Sequence, residues 1–196
     1  MSDDSQMDKI KRLREKTGAG IMDCKRALEE SGGDLDSAEV ILRKKGMDSA
    51  MKKAGRAANQ GLIFQYIHGG RIGCLLELNC ETDFVARTDD FQQLGRDIAQ
   101  HIIGMMPQYV RADEVPEDVR ERERRIHDGS DEEVDRKLVL MAQPFVRDPK
   151  KTIGGMVQEA IGKLGENIVI RRFTRYELGE AVVGDGSDSG DDGVDA

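Results

Sequence analysis

The clearest hydrophobic pattern in the chain lies between residues 62 and 80. From Arg71 to Cys80 the residues alternate, so that one face of this segment carries Ile72, Cys74, Leu76, Leu78 and Cys80. A period of two is typical of a β-strand with one buried face. Residues 62–68 alternate in the same way, and the turn sequence His68-Gly69-Gly70-Arg71 separates the two runs. Together they predict an antiparallel hairpin.

The period changes from two to that of a helix directly after the hairpin. The recurring apolar residues are Phe91, Leu94, Ile98, Ile102 and Met105. Thr88 suits the N-cap of this helix, the acids Asp89 and Asp90 suit its first turn, and Pro107 ends it. Residues 82–87 are therefore predicted to form a strand-to-helix loop.

Residues 5–46 show the helical period in three short segments separated by glycine-containing breaks. The predicted inward residues are Met7, Ile10 and Leu13 in the first helix, Cys24, Ala27 and Leu28 in the second, and Leu35, Ala38, Ile41 and Leu42 in the third. Gly46 is predicted to end the third helix, after the basic residues of its last turn. Residues 47–60 are predicted to be a mobile or weakly helical linker.

The second half of the chain adds helices and a third strand. Charged residues dominate 112–128 and predict a solvent-facing helix, which a break at Asp128-Gly129-Ser130 ends. Thr152 begins an amphipathic helix that ends at Gly165, and the run Asn167 to Tyr176 predicts a strand. Helices combined with antiparallel strands indicate an α+β core domain over residues 61–178. Residues 179–196 are rich in Gly, Asp and Ser and predict a disordered acidic tail.

The net charge of −8 is concentrated at the C-terminal end of the chain. Seven acids and no Lys or Arg follow residue 176. The folded part is thus nearly neutral, which argues against binding to nucleic acid. No apolar run approaches a membrane span, the acidic N-terminus has no signal-peptide pattern, and three cysteines fit a reduced cytoplasm.

The sequence contains no recognisable set of residues for covalent chemistry. His68, His101 and His127 are scattered without metal-ligand spacing, and no Ser/His/Asp or Cys/His arrangement is present. The run Thr17-Gly18-Ala19-Gly20 lacks the spacing and the Lys-Ser/Thr pair of a phosphate-binding loop. We therefore expect a binding protein with no cofactor and no metal of its own.

Three places in the sequence leave burial and exposure open. Phe84, which stands beside Asp83 and Val85 in the predicted loop, could pack under the following helix or be presented to a partner. Ile21 and Met22 could belong to the helical core or form an exposed apolar surface. His101 lies near an apolar helix face, where a partly buried histidine with a backbone partner is one interpretation.

Two long motifs resemble those of one protein family. The segments are Leu13-Arg14-Glu15-Lys16-Thr17-Gly18-Ala19-Gly20-Ile21-Met22-Asp23-Cys24-Lys25-Arg26-Ala27-Leu28 and Glu77-Leu78-Asn79-Cys80-Glu81-Thr82-Asp83-Phe84-Val85-Ala86-Arg87. Both resemble signatures of the translation elongation factor Ts family, in the same order and near the family spacing. The resemblance extends from about Met7 to Glu180. It implies an N-terminal three-helix domain similar to the ubiquitin-associated fold, and a cytoplasmic guanine-nucleotide exchange factor for elongation factor Tu.

The same resemblance implies roles for individual residues. Thr82, Asp83, Phe84 and Val85 would enter the GTPase domain of elongation factor Tu. Phe84 would lie between two partner helices, and Asp83 would compete for polar contacts near the Mg²⁺ of the partner, so that GDP leaves. Further partner contacts would come from Arg14, Ile21, Met22 and His101.

The resemblance also bears on the oligomeric state. Long family members carry two copies of the core half and this chain carries one, which implies a homodimer with C2 symmetry. Short members usually have a longer helical segment before the motif Gln143-Pro144-Phe145-Val146, and part of it is missing here, near residues 126–134. Two other hypotheses are a protein-binding adaptor similar to ubiquitin-associated domains, without exchange activity, and a small enzyme with a cryptic site.

Overall fold

The structure is a computed structural model that describes residues 3–127 and 129–180. Its helices are α1 (Asp3–Thr17), α2 (Ile21–Glu30), α3 (Leu35–Lys53), α4 (Asp83–Ala86), α5 (Asp89–Met105), α6 (Glu117–His127), α7 (Asp131–Leu138) and α8 (Ile153–Leu164). Its strands are β1 (Gln60–His68), β2 (Ile72–Cys80), β3 (Pro144–Phe145), β4 (Asp148–Thr152) and β5 (Ile168–Glu177). The predicted α+β class is confirmed. The predicted acidic tail lies, from residue 181 onward, outside the described residues.

A three-stranded antiparallel sheet with the order β1-β2-β5 forms the centre of the larger part. The predicted hairpin is confirmed with Phe64 paired to Leu76, and β5 adds the third strand with Phe173 opposite Leu76. A register shift between Glu77 and Leu78 marks a bulge in the pairing of β2 with β5. One face of the sheet is buried against α5 and α8.

The main core is aliphatic, with two phenylalanines at its centre. Phe91, Ile98 and Ile102 of α5 have no exposed surface, and the ring of Phe64 from β1 lies 6.1 Å from that of Phe91. The predicted inward face of α5 is confirmed except at its end, where Met105 is 37% exposed.

All three cysteines are buried and free. Burial raises the pKa of the Cys74 thiol to about 11, and burial likewise raises that of Cys80 to about 11. Both thiols lie on the inner face of β2, as the alternating pattern predicts.

The three N-terminal helices enclose a second, smaller cluster. Its buried members are Ile10, Leu13, Cys24, Ala27, Leu28, Ala38 and Leu42. The prediction of three helices is confirmed, but Met7 is 62% exposed and does not join the cluster. A core of this size contributes little stability by itself, so the three helices also depend on contacts with the larger part of the chain.

The prediction that the third helix ends at Gly46 is wrong, and the first part of the predicted mobile or weakly helical linker, residues 47–53, is helical. Helix α3 continues to Lys53, and Ala50 on its second half belongs to the main core. A Cβ atom at Gly162 of α8 would lie 3.2 Å from the Gly46 Cα, so the two helices approach closely at this point. Tertiary packing thus outweighs the roughly 1 kcal/mol by which glycine disfavours a helix. Since α3 joins both clusters, the division of the chain into domains stays a prediction.

Helix α7 and the hairpin of β3 and β4 escaped the sequence analysis. Ser130, predicted as part of a break, caps α7 in a reciprocal arrangement with Glu133. Helices α6 and α7 pack over a small cluster of Val115, Val134, Leu138 and Val139. The short hairpin of β3 and β4 precedes α8.

Within the described residues, no helix is long and apolar enough to cross a membrane.

Candidate partner-binding site

The segment predicted to be a loop between β2 and α5 contains one helical turn, α4. Thr82 caps this turn, because its side-chain oxygen accepts a hydrogen bond from the Val85 amide at 3.4 Å. Thr88 then caps α5 by accepting from Phe91, as predicted, and it also donates to the Val85 carbonyl at 2.8 Å. Two caps six residues apart thus hold α4 and connect it to α5.

Phe84 points away from the protein core. Its side chain is 77% exposed, whereas Val85 packs against the main core and Ala86 is buried. The interpretation of Phe84 as a buried staple is therefore wrong. The exposed ring on a short, capped turn makes α4 a candidate surface for a partner.

Asp83 lies next to Phe84 at the start of the same turn. Its Oδ2 accepts a hydrogen bond from Arg87 Nη2 at 2.6 Å, and the Arg87 side chain is largely exposed while that of Asp83 is about half exposed. Exposed ion pairs contribute little to stability. A partner can therefore replace this pair at small cost, which leaves the Asp83 carboxylate available for another polar group.

The turn is attached to the loop between α8 and β5 by hydrogen bonds that sequence analysis missed. Glu166 Oε2 accepts from the amides of Glu81 and Thr82, at 3.1 and 3.0 Å, and Glu166 Oε1 accepts from the Thr82 hydroxyl at 2.6 Å. In return, the Asn167 amide donates to Glu81 at 2.7 Å. These partners are more than 80 residues apart in sequence, so no local pattern reveals them.

The second predicted surface lies at the start of α2. Ile21 is 53% exposed and Met22 is 68% exposed, while the opposite side of α2 buries Cys24, Ala27 and Leu28. Arg14, near the end of α1, is exposed as well. Of the two interpretations of Ile21 and Met22, the exposed apolar surface is the one that the structure confirms.

Lys163 on α8 touches segments that adjoin both surfaces. Its Nζ donates to Asp90 at 2.7 Å in the first turn of α5, just after α4. Its aliphatic part lies so close to Gly18, in the turn before α2, that a Cβ there would be 2.7 Å from the Lys163 Cδ. The Lys163 side chain thus contacts both the start of α5, which follows Phe84, and the turn that precedes Ile21.

His101 does not form part of any exposed surface. It has no exposed area, so the expectation of a direct contact with a partner is contradicted. The Val146 amide donates to Nδ1 at 3.2 Å, which leaves the hydrogen on Nε2 to bond Gln143 Oε1 at 3.0 Å. Gln143 in turn donates to the carbonyls of Met105 and Lys137. His101 therefore joins the end of α5 to the β3–β4 hairpin, as a buried histidine with a backbone partner.

The buried position of His101 makes stability depend on pH. Burial lowers the pKa of His101 below its usual value of 6.5, although the Gln143 contact opposes this. Protonation at Nδ1 would also place a donor against the Val146 amide. His101 thus binds a proton more weakly in the folded chain than in the unfolded chain. We therefore expect the free energy of unfolding to fall as pH decreases below about 6.5.

Urea unfolding at about pH 7.5 and about pH 5 would measure this dependence. The loss of stability toward the lower pH should be smaller in His101→Asn than in the wild type. His68→Asn, which removes an exposed histidine of β1, is the matched control and should behave as the wild type does. An equal pH dependence in all three proteins would contradict the prediction.

The described residues contain no group of three or more His, Cys, Asp or Glu side chains that could hold a metal ion. The arrangement around α4 instead combines an exposed aromatic ring, an exposed carboxylate and a firmly attached backbone. It is suited to contact with another macromolecule.

Comparison with known proteins identifies the family. A family model described as "Elongation factor TS" matches residues 47–137. The elongation factor Ts of Coprothermobacter proteolyticus is 52% identical to this chain over 190 residues, which cover 87% of this chain and 96% of the relative. The elongation factor Ts of Thermotoga neapolitana is 49% identical over 191 residues, covering 89% of this chain and 97% of the relative. The chain belongs to the elongation factor Ts family.

Membership of this family gives the chain a role in translation elongation. The elongation factor Ts of Solibacter usitatus is 49% identical to this chain over 200 residues, covering 92% of this chain and 93% of the relative.

Proposed function

We propose that the chain is a guanine-nucleotide exchange factor that binds elongation factor Tu in its GDP form and accelerates GDP release. The observation that supports this most strongly is the exposed Phe84 on a turn held by the caps of Thr82 and Thr88. Phe84 inserts between two helices of the GTPase domain. Asp83 exchanges its contact with Arg87 for polar groups near the Mg²⁺ of the partner, and Val85 supports the turn from beneath. Once the metal is displaced, the diphosphate loses its charge neutralisation and GDP leaves.

The energetics of this proposal follow from reciprocity. If the exchange factor weakens GDP binding, GDP must weaken binding of the exchange factor by the same factor. An aromatic anchor that becomes desolvated in an interface contributes roughly 2–4 kcal/mol. Each factor of ten in binding requires about 1.4 kcal/mol. The insertion of Phe84 therefore accounts for a tens- to several-hundredfold weakening of GDP binding. Other contacts supply the remainder.

The surface of α2 supplies a second contact in this proposal. Ile21 and Met22 offer exposed apolar area, and Arg14 offers a charge near them. His101 contributes only by holding the β3–β4 hairpin, since it is buried. The chain acts in the cytoplasm, and only by binding its partner. It makes or breaks no covalent bond, uses no cofactor and needs neither nucleic acid nor a membrane.

Release of a fluorescent GDP analogue tests the function. Elongation factor Tu loaded with the analogue is chased with excess GDP, with and without this chain. The proposal expects faster release with the chain present. Release at the unassisted rate, from a chain shown to be folded by circular dichroism, would refute it.

The adaptor hypothesis makes a different prediction about the two surfaces. An adaptor that binds through the N-terminal helices loses its partner when Met22 is changed to Asp and keeps it when Phe84 is changed to Ala. The exchange factor is weakened by both changes. Binding of the two variants to immobilised elongation factor Tu·GDP distinguishes these cases, and the exposure of both side chains makes unfolding of either variant unexpected.

We also propose that the chain forms a homodimer. The outer face of the sheet supports this, because it exposes Ile63, Ile67, Leu75 and Tyr176, at 70%, 63%, 47% and 68%. Three strands about 4.8 Å apart and about 30 Å long present roughly 430 Å², about half of what each partner contributes to a standard interface. Neighbouring apolar residues such as Leu178, which is 67% exposed, must therefore take part.

Sedimentation equilibrium tests the dimer. The wild type should sediment as a dimer, and Ile67→Lys as a monomer at the same concentration, because a C2 pairing brings the new charges close together. Val40→Lys changes an equally exposed apolar residue of α3 and should stay dimeric. A monomeric wild type would contradict the proposal.

A further inference from the structure

Side chains extend the pairing of β2 with β5 beyond its last residue pair. The ladder ends with Cys80 opposite Ile168. Past this point Glu166 accepts from the amides of Glu81 and Thr82, and Glu81 accepts from the amide of Asn167. Each strand end thus offers a carboxylate to the backbone of the other. This reciprocal arrangement holds the chain at the place where it leaves the sheet for α4.

The hydrogen bonds continue from Glu166 into the turn that carries Phe84. The Thr82 hydroxyl donates its only hydrogen to Glu166 Oε1 at 2.6 Å. Its lone pairs are then free to accept from the Val85 amide at 3.4 Å, which is the cap of α4. Glu166 therefore determines both where the turn begins and how the capping hydroxyl is oriented.

We propose that Glu166 is a positioning residue that fixes the Phe84 turn in its binding orientation before the partner arrives. The inference rests on the exchange function proposed above. The ring of Phe84 is held by few contacts of its own, since it is 77% exposed. Its direction depends on the backbone of α4, and an exposed segment that is not held must be ordered at the moment of binding, which weakens the complex.

The chemistry of a glutamate suits this position. One oxygen faces two amide donors and the other faces the hydroxyl, and bonds to an ionised acceptor are stronger than neutral ones. Glutamine can keep the amide bonds through its single oxygen, and its NH₂ group can donate to Thr82, whose hydroxyl can accept. Alanine loses all three bonds.

The test compares Glu166→Ala and Glu166→Gln with the wild type. Amide hydrogen exchange at Glu81 and Thr82, followed by NMR, reports the attachment of the turn without any partner. We expect exchange at both amides to be at least about tenfold faster in Glu166→Ala, and acceleration of GDP release from elongation factor Tu to fall about tenfold. Glu166→Gln should restore both to within about threefold of the wild type.

A matched control exists in the same chain. Glu114 Oε2 also accepts from two consecutive backbone amides, those of Val110 and Arg111. Glu114→Ala removes the same kind of contact far from Phe84 in sequence, and should change neither the two amides nor GDP release. If Glu114→Ala reduced release as much as Glu166→Ala, the effect would be one of general stability and the proposal would be overturned.

A double change decides whether Glu166 acts through Phe84. In the Phe84→Ala background, adding Glu166→Ala should cause no further loss of acceleration, because the side chain that it positions is already absent. Losses that multiply would overturn the proposal, as would unchanged amide exchange in Glu166→Ala. Failure of the exchange function itself is distinct, since the wild type would then leave GDP release unaccelerated.

Discussion

Phe84→Ala is expected to keep the fold and to lose most of the acceleration of GDP release. The side chain is 77% exposed and contributes nothing to the main core, so its removal should leave thermal unfolding unchanged. On binding, the ring would become a desolvated anchor worth roughly 2–4 kcal/mol. The expected loss is therefore tens- to several-hundredfold in the affinity for elongation factor Tu·GDP.

Stopped-flow release of the fluorescent nucleotide over a range of exchange-factor concentrations measures the loss. Ile126→Ala shortens another exposed apolar side chain, on α6, and should behave as the wild type does. Phe84→Leu keeps apolar volume without the ring and should fall between the wild type and Phe84→Ala. A folded Phe84→Ala that accelerates release fully would show that the turn is not the site.

Gly95→Ala is expected to destabilise the protein although alanine favours helices. Gly95 lies on α5 against β1, and a Cβ there would come within 2.3 Å of ring atoms of Phe64. The ring is buried against Phe91 and has little room to move. Forcing an extra methyl group against a packed side chain costs about 1–3 kcal/mol, against about 1 kcal/mol gained in helix propensity. We expect a net loss of up to about 2 kcal/mol.

Gly104→Ala on the same helix is the matched control. A Cβ at Gly104 meets only Val146, at an ordinary 3.8 Å. This change should therefore be neutral or stabilise the protein by up to about 1 kcal/mol. Urea unfolding measured for both variants gives the contrast directly. Equal stability of the two would mean that Phe64 can rearrange without cost.

The sequence alone determined the elements whose formation depends on the local spacing of apolar residues. The alternation before Cys80 and the helical period after Thr88 predicted β1, β2 and α5, because burial of one face requires those periods. The capping residue Thr88 was predictable for the same reason, since its partner Phe91 is three residues away. The two motifs predicted the family, which the relatives confirm.

Only the tertiary structure decided how the candidate site is built. The exposure of Phe84, the burial of His101 and the continuation of α3 past Gly46 each depend on what packs against these residues from elsewhere in the chain. Glu166 shows the reason most clearly, because its carboxylate bonds Thr82 across 84 residues. Local sequence governs which hydrogen bonds a short segment can make by itself, but a contact between distant segments exists only once the whole sheet has brought them together.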